Sequence, residues 1–312
     1  MANLPSVAII DIGSNSIKVL VAQRAPDRSI TTLFTRTIDA RISAGISQVA
    51  PRLGEDGMTR GLEAIRALLA DTTRFASAHP VLVGTSAVRD AGNSAEFRTR
   101  VRAATGLEIR ILSGDEEANL IGRGLVCDPA LQLLRDFCVF DLGGGSLECL
   151  AFRDRQIQQA ASLPLGCVRL TEKFLPNAEA PFPREAAAAI AAHCRTALAA
   201  AGFDFSLPAG AETIGTGGTV ATVRAILTAR AGNTFEQSDS FVTVAALRDL
   251  LDELGRLTLA ERKKIPGLPP PRADVFPTAL ATLIAVAEAG GFIGFRNSLY
   301  NLRYGLAAEA LA

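Results

Sequence analysis

Two short segments of this chain carry the residue types that bind phosphate and a divalent cation. Each has an apolar run, an aspartate, small residues and a second apolar run, and the two segments are Asp11-Ile-Gly-Ser14-Asn15-Ser16 and Asp141-Leu-Gly143-Gly144-Gly145-Ser146. A turn of small residues lets backbone amides approach a phosphate, and an adjacent carboxylate can hold hydrated Mg²⁺. We therefore predict two phosphate-binding turns, with Asp11 and Asp141 as metal-site carboxylates.

A third carboxylate stands close to the second turn. Glu148 lies two residues beyond Ser146, where the first segment has Lys18. Residues at this spacing lie on the same face of a strand. An acidic side chain among strand hydrophobes favours a metal contact over the alternative, a solvent-facing position.

The base that would activate water is expected to be a carboxylate. The chain has two histidines, and we interpret His79 as a loop residue before Pro80 and His193 as a position on an Ala-rich helix. Glu116 and Glu117 open a predicted helix, and a capping box with Ser113 accounts for Glu116 but not for its neighbour.

Arg89 is a further candidate phosphate ligand. It follows Gly84-Thr85 by one helical turn, and its guanidinium could hold a phosphate through two bonds. A solvated surface arginine is an equally good interpretation of the sequence alone.

A second pair of motifs indicates that the whole plan is duplicated. Gly84-Thr85 and Gly215-Thr216-Gly217 each follow a short apolar strand and precede a helix. The distance from Asp11 to Asp141 is 130 residues, and from Gly84 to Gly215 it is 131. Two motifs that recur in one order at one spacing predict a duplicated domain.

The periodicity predicts a mixed α/β layer structure in each repeat. The predicted strands are Val7–Ile10, Ser16–Ala22, Ser29–Arg36, Val81–Gly84, Glu108–Leu112, Phe137–Phe140, Leu147–Phe152, Gln156–Leu163 and Glu212–Ile214. The predicted helices cover 56–76, 95–104, 113–125, 183–201, 219–228 and 274–288, and a last one begins near Gly305. We place the domains at 1–124 and 125–312, with the last helix able to pack back on the first domain, and expect the two turns to face each other across a cleft.

Composition limits the classes of partner. The 312 residues include 32 Lys and Arg and 32 Asp and Glu, so no global basic field favours nucleic acid or a membrane surface. The five cysteines are widely spaced, which suits reduced thiols in a cytoplasmic protein better than disulfides or a zinc site. We find no signal-like or membrane-spanning segment and expect a cytoplasmic location.

As a set, these motifs resemble the exopolyphosphatase and guanosine pentaphosphate phosphohydrolase (Ppx/GppA) family. The resemblance rests on Asp11 to Ser16, Gly84 to Arg89, Ser113 to Ala118, Asp141 to Glu148, Gly215 to Thr219 and Arg272 to Asp274. It implies duplicated actin-like (ribonuclease H-like) domains of the actin, sugar kinase and heat-shock ATPase superfamily. The chain resembles the short, two-domain form of the family.

The resemblance also implies roles for individual residues. Glu117 matches the general base, and Asp141 and Glu148 match metal-site carboxylates with Asp11 nearby. With the turn residues added, the candidate phosphate ligands are Ser14, Asn15, Ser16, Arg89, Gly143, Gly144, Gly145, Ser146 and Gly217. A basic track for a long polyanion would have to come from residues such as Arg169, Lys173, Lys263, Lys264 and Arg272.

We therefore expect an Mg²⁺-dependent exopolyphosphatase that releases terminal phosphate from inorganic polyphosphate. Guanosine pentaphosphate is the alternative substrate. A kinase that passes phosphate to a small acceptor and a sensing module that binds without hydrolysis remain as other classes. A homodimer is expected because family members often pair.

Overall fold

A computed structural model describes residues 4–75, 78–208 and 211–312. The strands are β1 (Ser6–Ile12), β2 (Ile17–Arg24), β3 (Ile30–Ile38), β4 (Ala78–Gly84), β5 (Ile109–Ile111), β6 (Phe137–Leu142), β7 (Leu147–Arg153), β8 (Gln156–Leu163), β9 (Glu212–Thr216), β10 (Phe241–Thr243) and β11 (Gly294–Asn297). The helices are α1 (Glu55–Thr72), α2 (Ser86–Arg89), α3 (Ser94–Thr105), α4 (Gly114–Val126), α5 (Cys167–Phe174), α6 (Arg184–Ala200), α7 (Gly217–Ala231), α8 (Val244–Gly255), α9 (Leu259–Arg262), α10 (Phe276–Gly290) and α11 (Leu302–Ala310).

The chain forms two compact units. Unit 1 contains residues 1–132 and 300–312, and unit 2 contains residues 133–299. The predicted boundary at 124/125 falls within α4, and the last helix, α11, belongs to unit 1, where it packs against α4.

The two units contain sheets with the same strand order. In unit 1 the order is β3-β2-β1-β4-β5, with β1 antiparallel to β2 and parallel to β4. In unit 2 the order β8-β7-β6-β9-β11 repeats this arrangement, and β10 adds an antiparallel edge strand. The prediction of duplicated α/β domains is therefore confirmed.

The central strands are the strongest hydrophobic signals in the sequence because they are covered on both faces. Every residue of β1 is buried, whereas most residues of the edge strand β3 are exposed. In unit 2, α10 is buried from Phe276 to Ala287, which explains a helical segment that is apolar on all sides.

Several predicted elements need correction. The sequence analysis missed α5, α8, α9, β10 and β11, most of which are short, whereas α2 is the helix expected directly after Gly84-Thr85. His79 lies in β4 and not in a loop, and α1 ends at Thr72, whereas the predicted end at residue 76 lies outside the described residues. The β7–β8 turn is at Asp154-Arg155, and both residues have positive φ.

Two global properties bear on function. None of the helices in the described part of the chain has the length and apolar character needed to cross a bilayer. Four cysteines are buried, and Cys127 is half-buried. Burial raises the pKa of the Cys127 thiol and raises that of Cys138 to about 12.

Glycines let α4 and α11 pack backbone against backbone in unit 1. A Cβ atom at Gly305 would overlap the carbonyl oxygen of Leu120, and one at Gly124 would overlap that of Asn301. Because these are main-chain atoms, neither clash can be relieved by a side-chain rotation. The helix that carries Glu117 therefore depends on two glycines for its position against α11.

We predict that Gly305→Ala destabilises unit 1 by about 1–3 kcal/mol, because overpacking forces the two helices apart. The chain has no tryptophan and two tyrosines, Tyr300 and Tyr304, both in unit 1. Urea unfolding followed by tyrosine fluorescence therefore reports on this unit. Gly92→Ala is the matched control, since the nearest atom to its Cβ would be Pro51 O at 3.7 Å. Equal unfolding midpoints for the two variants would contradict the packing argument.

Candidate functional site

The first predicted turn joins β1 to β2 and is held from several sides. Gly13 N donates to Ser16 O at 3.2 Å, which closes the turn. The Ser14 hydroxyl is hydrogen-bonded to that of Ser86 at 3.2 Å, and Ser43 Oγ donates to Ser14 O at 3.1 Å. Ser14 and Ser16 are buried, so the turn is a rigid part of unit 1.

Arg41 fixes the side chain of Asn15. Its Nε and one terminal nitrogen both donate to Asn15 Oδ1, at 3.1 and 3.0 Å, and its backbone N donates to Asn15 O at 2.9 Å. Arg41 has a positive φ of 39°, an uncommon conformation for a residue with a side chain. The sequence analysis did not identify this residue, which lies 26 positions from its partner.

Glu117, the predicted base, forms an ion pair with Arg89. An Arg89 terminal nitrogen lies 2.8 Å from Glu117 Oε2 and also donates to Leu112 O, while Arg89 Nε donates to Asp90. The Glu117 side chain is 8% exposed and that of Arg89 is 22% exposed. The structure thus brings two predicted site residues together.

Glu116 has a structural role, as its capping box predicts. Ser113 N donates to Glu116 Oε2 at 2.8 Å, and Glu116 N donates to Ser113 Oγ at 3.1 Å. The bond from the Ser113 amide lowers the pKa of the Glu116 carboxyl. Of the two neighbouring glutamates, only Glu117 is buried.

The second turn joins β6 to β7, and its carbonyl groups point towards the start of α5. Cys167 N donates to Gly143 O at 3.0 Å, Val168 N donates to Gly144 O at 2.8 Å, and Arg169 Nε donates to Gly145 O at 2.9 Å. A trans peptide has its N–H opposite its C=O. The amides of Gly144, Gly145 and Ser146 therefore point away from α5, as an anion cradle requires.

Gly166 allows this contact, although the sequence analysis did not single it out. A Cβ atom at Gly166 would overlap the backbone of Gly144 and Gly145. Arg169, predicted as a candidate for a basic surface track, instead bonds the turn. The sequence signal that could have predicted this contact is Gly166, which stands directly before the amphipathic helix α5.

The predicted metal carboxylates of unit 2 are direct neighbours. The β6–β7 register pairs Asp141 with Glu148, and directly paired residues on antiparallel strands have side chains on the same face. Glu148 is 2% exposed, so the solvent-facing alternative is wrong, and its Oε1 accepts a bond from Ser162 Oγ at 2.8 Å. In unit 1 the corresponding pair is Asp11 with Lys18.

These residues fit a magnesium ion. Two like charges opposite each other on neighbouring strands are destabilising unless a cation lies near them. Mg²⁺ is commonly held by one or two carboxylates, with water and substrate phosphate as its other ligands. Asp141 and Glu148 form a set of two carboxylates of this kind. Within the described ranges, no group of three or more His, Cys, Asp or Glu side chains could hold a metal.

The start of α7 lies beside Asp141. Gly217 has a φ of 80°, and a Cβ there would overlap Asp141 Oδ1, so only glycine permits this approach. A Cβ at Gly218 would overlap the Arg272 guanidinium. Arg272 Nε is buried without a hydrogen-bond partner among the described residues. The sequence analysis had placed Arg272 in a family motif and on a surface track, but not in the site.

We predict that Arg89 and Glu117 are energetically coupled. Removing one partner leaves the other charge largely desolvated, so Arg89→Ala should lower the free energy of unfolding of unit 1 by about 2–3 kcal/mol. The double variant with Glu117→Ala should recover part of this loss. A double-mutant cycle in urea, followed by tyrosine fluorescence, measures the coupling.

The exposed pair of Arg100 and Glu96, also in unit 1, is the control for this cycle. It should couple by no more than about 0.5 kcal/mol. Additive effects of the Arg89 and Glu117 substitutions would contradict a stabilising ion pair.

Known proteins resemble this chain over most of its length. The guanosine-5'-triphosphate,3'-diphosphate pyrophosphatase of Aeromonas salmonicida (strain A449) is 29% identical over 290 residues, which cover 92% of this chain and 56% of the relative. The chain thus spans about half the length of this curated relative.

Solved structures share the fold. An exopolyphosphatase from Cytophaga hutchinsonii ATCC 33406 superimposes with a TM-score of 0.86 at 23% identity, covering 98% of this chain and 97% of that one. A Ppx/GppA family member from Aquifex aeolicus gives a TM-score of 0.78 at 22% identity, covering 99% and 98%. The profile of the Ppx/GppA phosphatase family matches residues 20–312. The chain therefore belongs to the Ppx/GppA phosphatase family.

Proposed function

We propose that this protein is an exopolyphosphatase that hydrolyses the terminal phosphoanhydride of inorganic polyphosphate and releases orthophosphate. The observation that carries the proposal is the position of Glu117. It is a buried carboxylate in the first turn of α4, paired with an arginine, and the capping box does not use it. Family membership supports a phosphate-ester or anhydride bond as the target.

Glu117 is the proposed base for the attacking water. A carboxylate that accepts a proton from water must be ionised and held in one orientation. Arg89 meets both needs, because its guanidinium stabilises the charged form and fixes the side chain by a bond of 2.8 Å. The same guanidinium is the proposed contact for a substrate phosphoryl oxygen.

Each of the two turns is proposed to bind phosphate. The amides of Gly144, Gly145 and Ser146, which point away from α5, can donate to phosphoryl oxygens. The carbonyl oxygens of the same turn, which would repel a phosphate, point towards α5. Ser14 and Asn15 are the corresponding donors proposed in unit 1. The family profile begins at residue 20, so this first assignment rests on the turn's own geometry.

Magnesium remains a proposal, with Asp141 and Glu148 as its carboxylate ligands and Asp11 as a further candidate. When bound, Mg²⁺ would neutralise phosphate charge and polarise the bond to be broken. The proposed role of Gly217 is to let the positive end of α7 approach the Asp141 carboxylate and the bound phosphate. Arg272, whose guanidinium lies against Gly218 at the start of the same helix, is a proposed additional phosphate contact.

Guanosine pentaphosphate is the second candidate substrate, because the Aeromonas salmonicida relative is named for an activity on this nucleotide. The same bond type would be cut in both substrates. The residues that we assign to the site are backbone amides, hydroxyls and arginines, which suit phosphate, and carboxylates, which suit a metal or a base. None of them forms an apolar platform for a nucleobase. This favours polyphosphate. A cytoplasmic location and a homodimer also remain proposals.

Glu117→Gln should lower the rate of phosphate release from polyphosphate in Mg²⁺ by about 10²- to 10⁴-fold, the usual contribution of a general base. The control is Glu116→Gln, which keeps the capping-box acceptor and should retain near-normal activity. Equal activities of the two variants would rule out Glu117 as the base. Polyphosphate binding without hydrolysis in the wild type would instead support a sensing module.

A comparison of substrates tests the specificity. We expect kcat/KM for tripolyphosphate or long polyphosphate to exceed that for guanosine pentaphosphate by about tenfold or more, equal to about 1.4 kcal/mol of transition-state binding. Released orthophosphate is measured at one Mg²⁺ concentration, with Glu117→Gln as the blank. A higher kcat/KM for guanosine pentaphosphate would reverse the assignment and leave the role of Glu117 unchanged.

A further inference from the structure

Unit 1 contains a cavity that the proposed reaction does not use. Its volume is about 450 Å³, within the range of small-molecule sites. It lies where the β2–β3 hairpin meets the last turns of α4 and α11, and none of its lining residues belongs to the proposed catalytic or phosphate-binding set.

The charged lining is mostly positive. Arg24, Arg28 and Arg123 contribute three positive charges, and Glu309 contributes one negative charge. Arg28 makes no ion pair or hydrogen bond through its side chain within the described ranges, and it lies at the hairpin tip with a φ of 68°. The Nε of Arg24 is buried with no hydrogen-bond partner in the part of the chain that is described. The side chains of the lining therefore carry a net positive charge, which suits an anion.

The arginines are not simply caps for the helix ends. The carboxyl ends of α4 and α11 carry partial negative charge and would attract cations by themselves. However, Cys127 N already donates to Gly124 O, and Leu311 N donates to Ala307 O. Arg24 alone bonds a terminal carbonyl, that of Ala308, at 3.1 Å. The guanidiniums of Arg28 and Arg123 are left for another acceptor, apart from an exposed contact of Arg123 with Glu309 at 3.5 Å.

The remaining lining is apolar. Ile30 and Ala308 contribute aliphatic surface, and Val126 is a large hydrophobic residue with 44% of its surface exposed. We propose that this cavity binds a small phosphate monoester whose organic part is apolar, with the phosphate on the arginines and the organic part against Val126. A monoester phosphate carries close to two negative charges at neutral pH, which matches the lining, and guanidinium groups match phosphate geometry.

Cys127 allows a local test of occupancy. It lines the cavity and is half-buried, whereas the other four cysteines are buried. Iodoacetamide alkylation of Cys127 is followed by mass spectrometry in the presence of phenyl phosphate. We expect alkylation to slow as the phenyl phosphate concentration rises, with inorganic phosphate less effective and benzyl alcohol ineffective. This readout does not depend on hydrolysis.

The double variant Arg28→Gln/Arg123→Gln should shift half-protection to a phenyl phosphate concentration about tenfold higher or more, because it loses charge-assisted bonds. Arg98→Ala, an exposed arginine elsewhere in unit 1, should protect like the wild type. Absence of protection, or equal protection in the double variant, would overturn the site. Equal protection by inorganic phosphate would overturn the apolar part of the ligand. None of these results bears on Glu117.

Discussion

Two carboxylates on the same face of neighbouring strands repel each other, and much of unit 2 is arranged around that repulsion. Asp141 and Glu148 are register partners, and Glu148 is almost fully buried. Ser162 donates to Glu148, and the glycine at the start of α7 allows the amide end of that helix to reach Asp141. These dipoles reduce the cost of the two charges. The proposed divalent cation would reduce the repulsion further when bound beside them.

The glycine turns follow from a constraint of the peptide bond. A peptide whose amide faces an anion has its carbonyl on the opposite side, and where that carbonyl is buried its acceptor role must be fulfilled by a separate donor. In unit 2, the first turn of α5 and Arg169 fulfil it for three successive carbonyls. This requires α5 to lie directly against the turn, and Gly166 provides the space. The phosphate turn and the helix behind it therefore form one structural device.

Features encoded over a few residues could be predicted from the sequence, whereas features formed by distant contacts could not. The duplicated turns, the central strands and the Ser113–Glu116 capping box are local patterns, and the structure contains all of them. Strands β10 and β11 have three and four residues, too few to establish a period of two. The Arg89–Glu117 pair joins residues 28 positions apart, and Arg41 reaches Asn15 across 26. Periodicity carries no information about such pairs, so Arg89 could equally be a surface residue.

Comparison of the two units shows where duplication gave way to specialisation. At equivalent register positions, unit 1 pairs Asp11 with Lys18, and unit 2 pairs Asp141 with Glu148. In unit 1 the register partner of Asp11 is thus a cation, and Arg89 forms an ion pair with Glu117. In unit 2 both members of the equivalent register pair are acidic. We therefore place the proposed metal on unit 2 and regard Asp11 as the weakest member of the predicted metal set. Glu117 is paired with Arg89 within unit 1, without a metal. The proposed roles of base and metal ligand therefore fall on different copies of one ancestral fold.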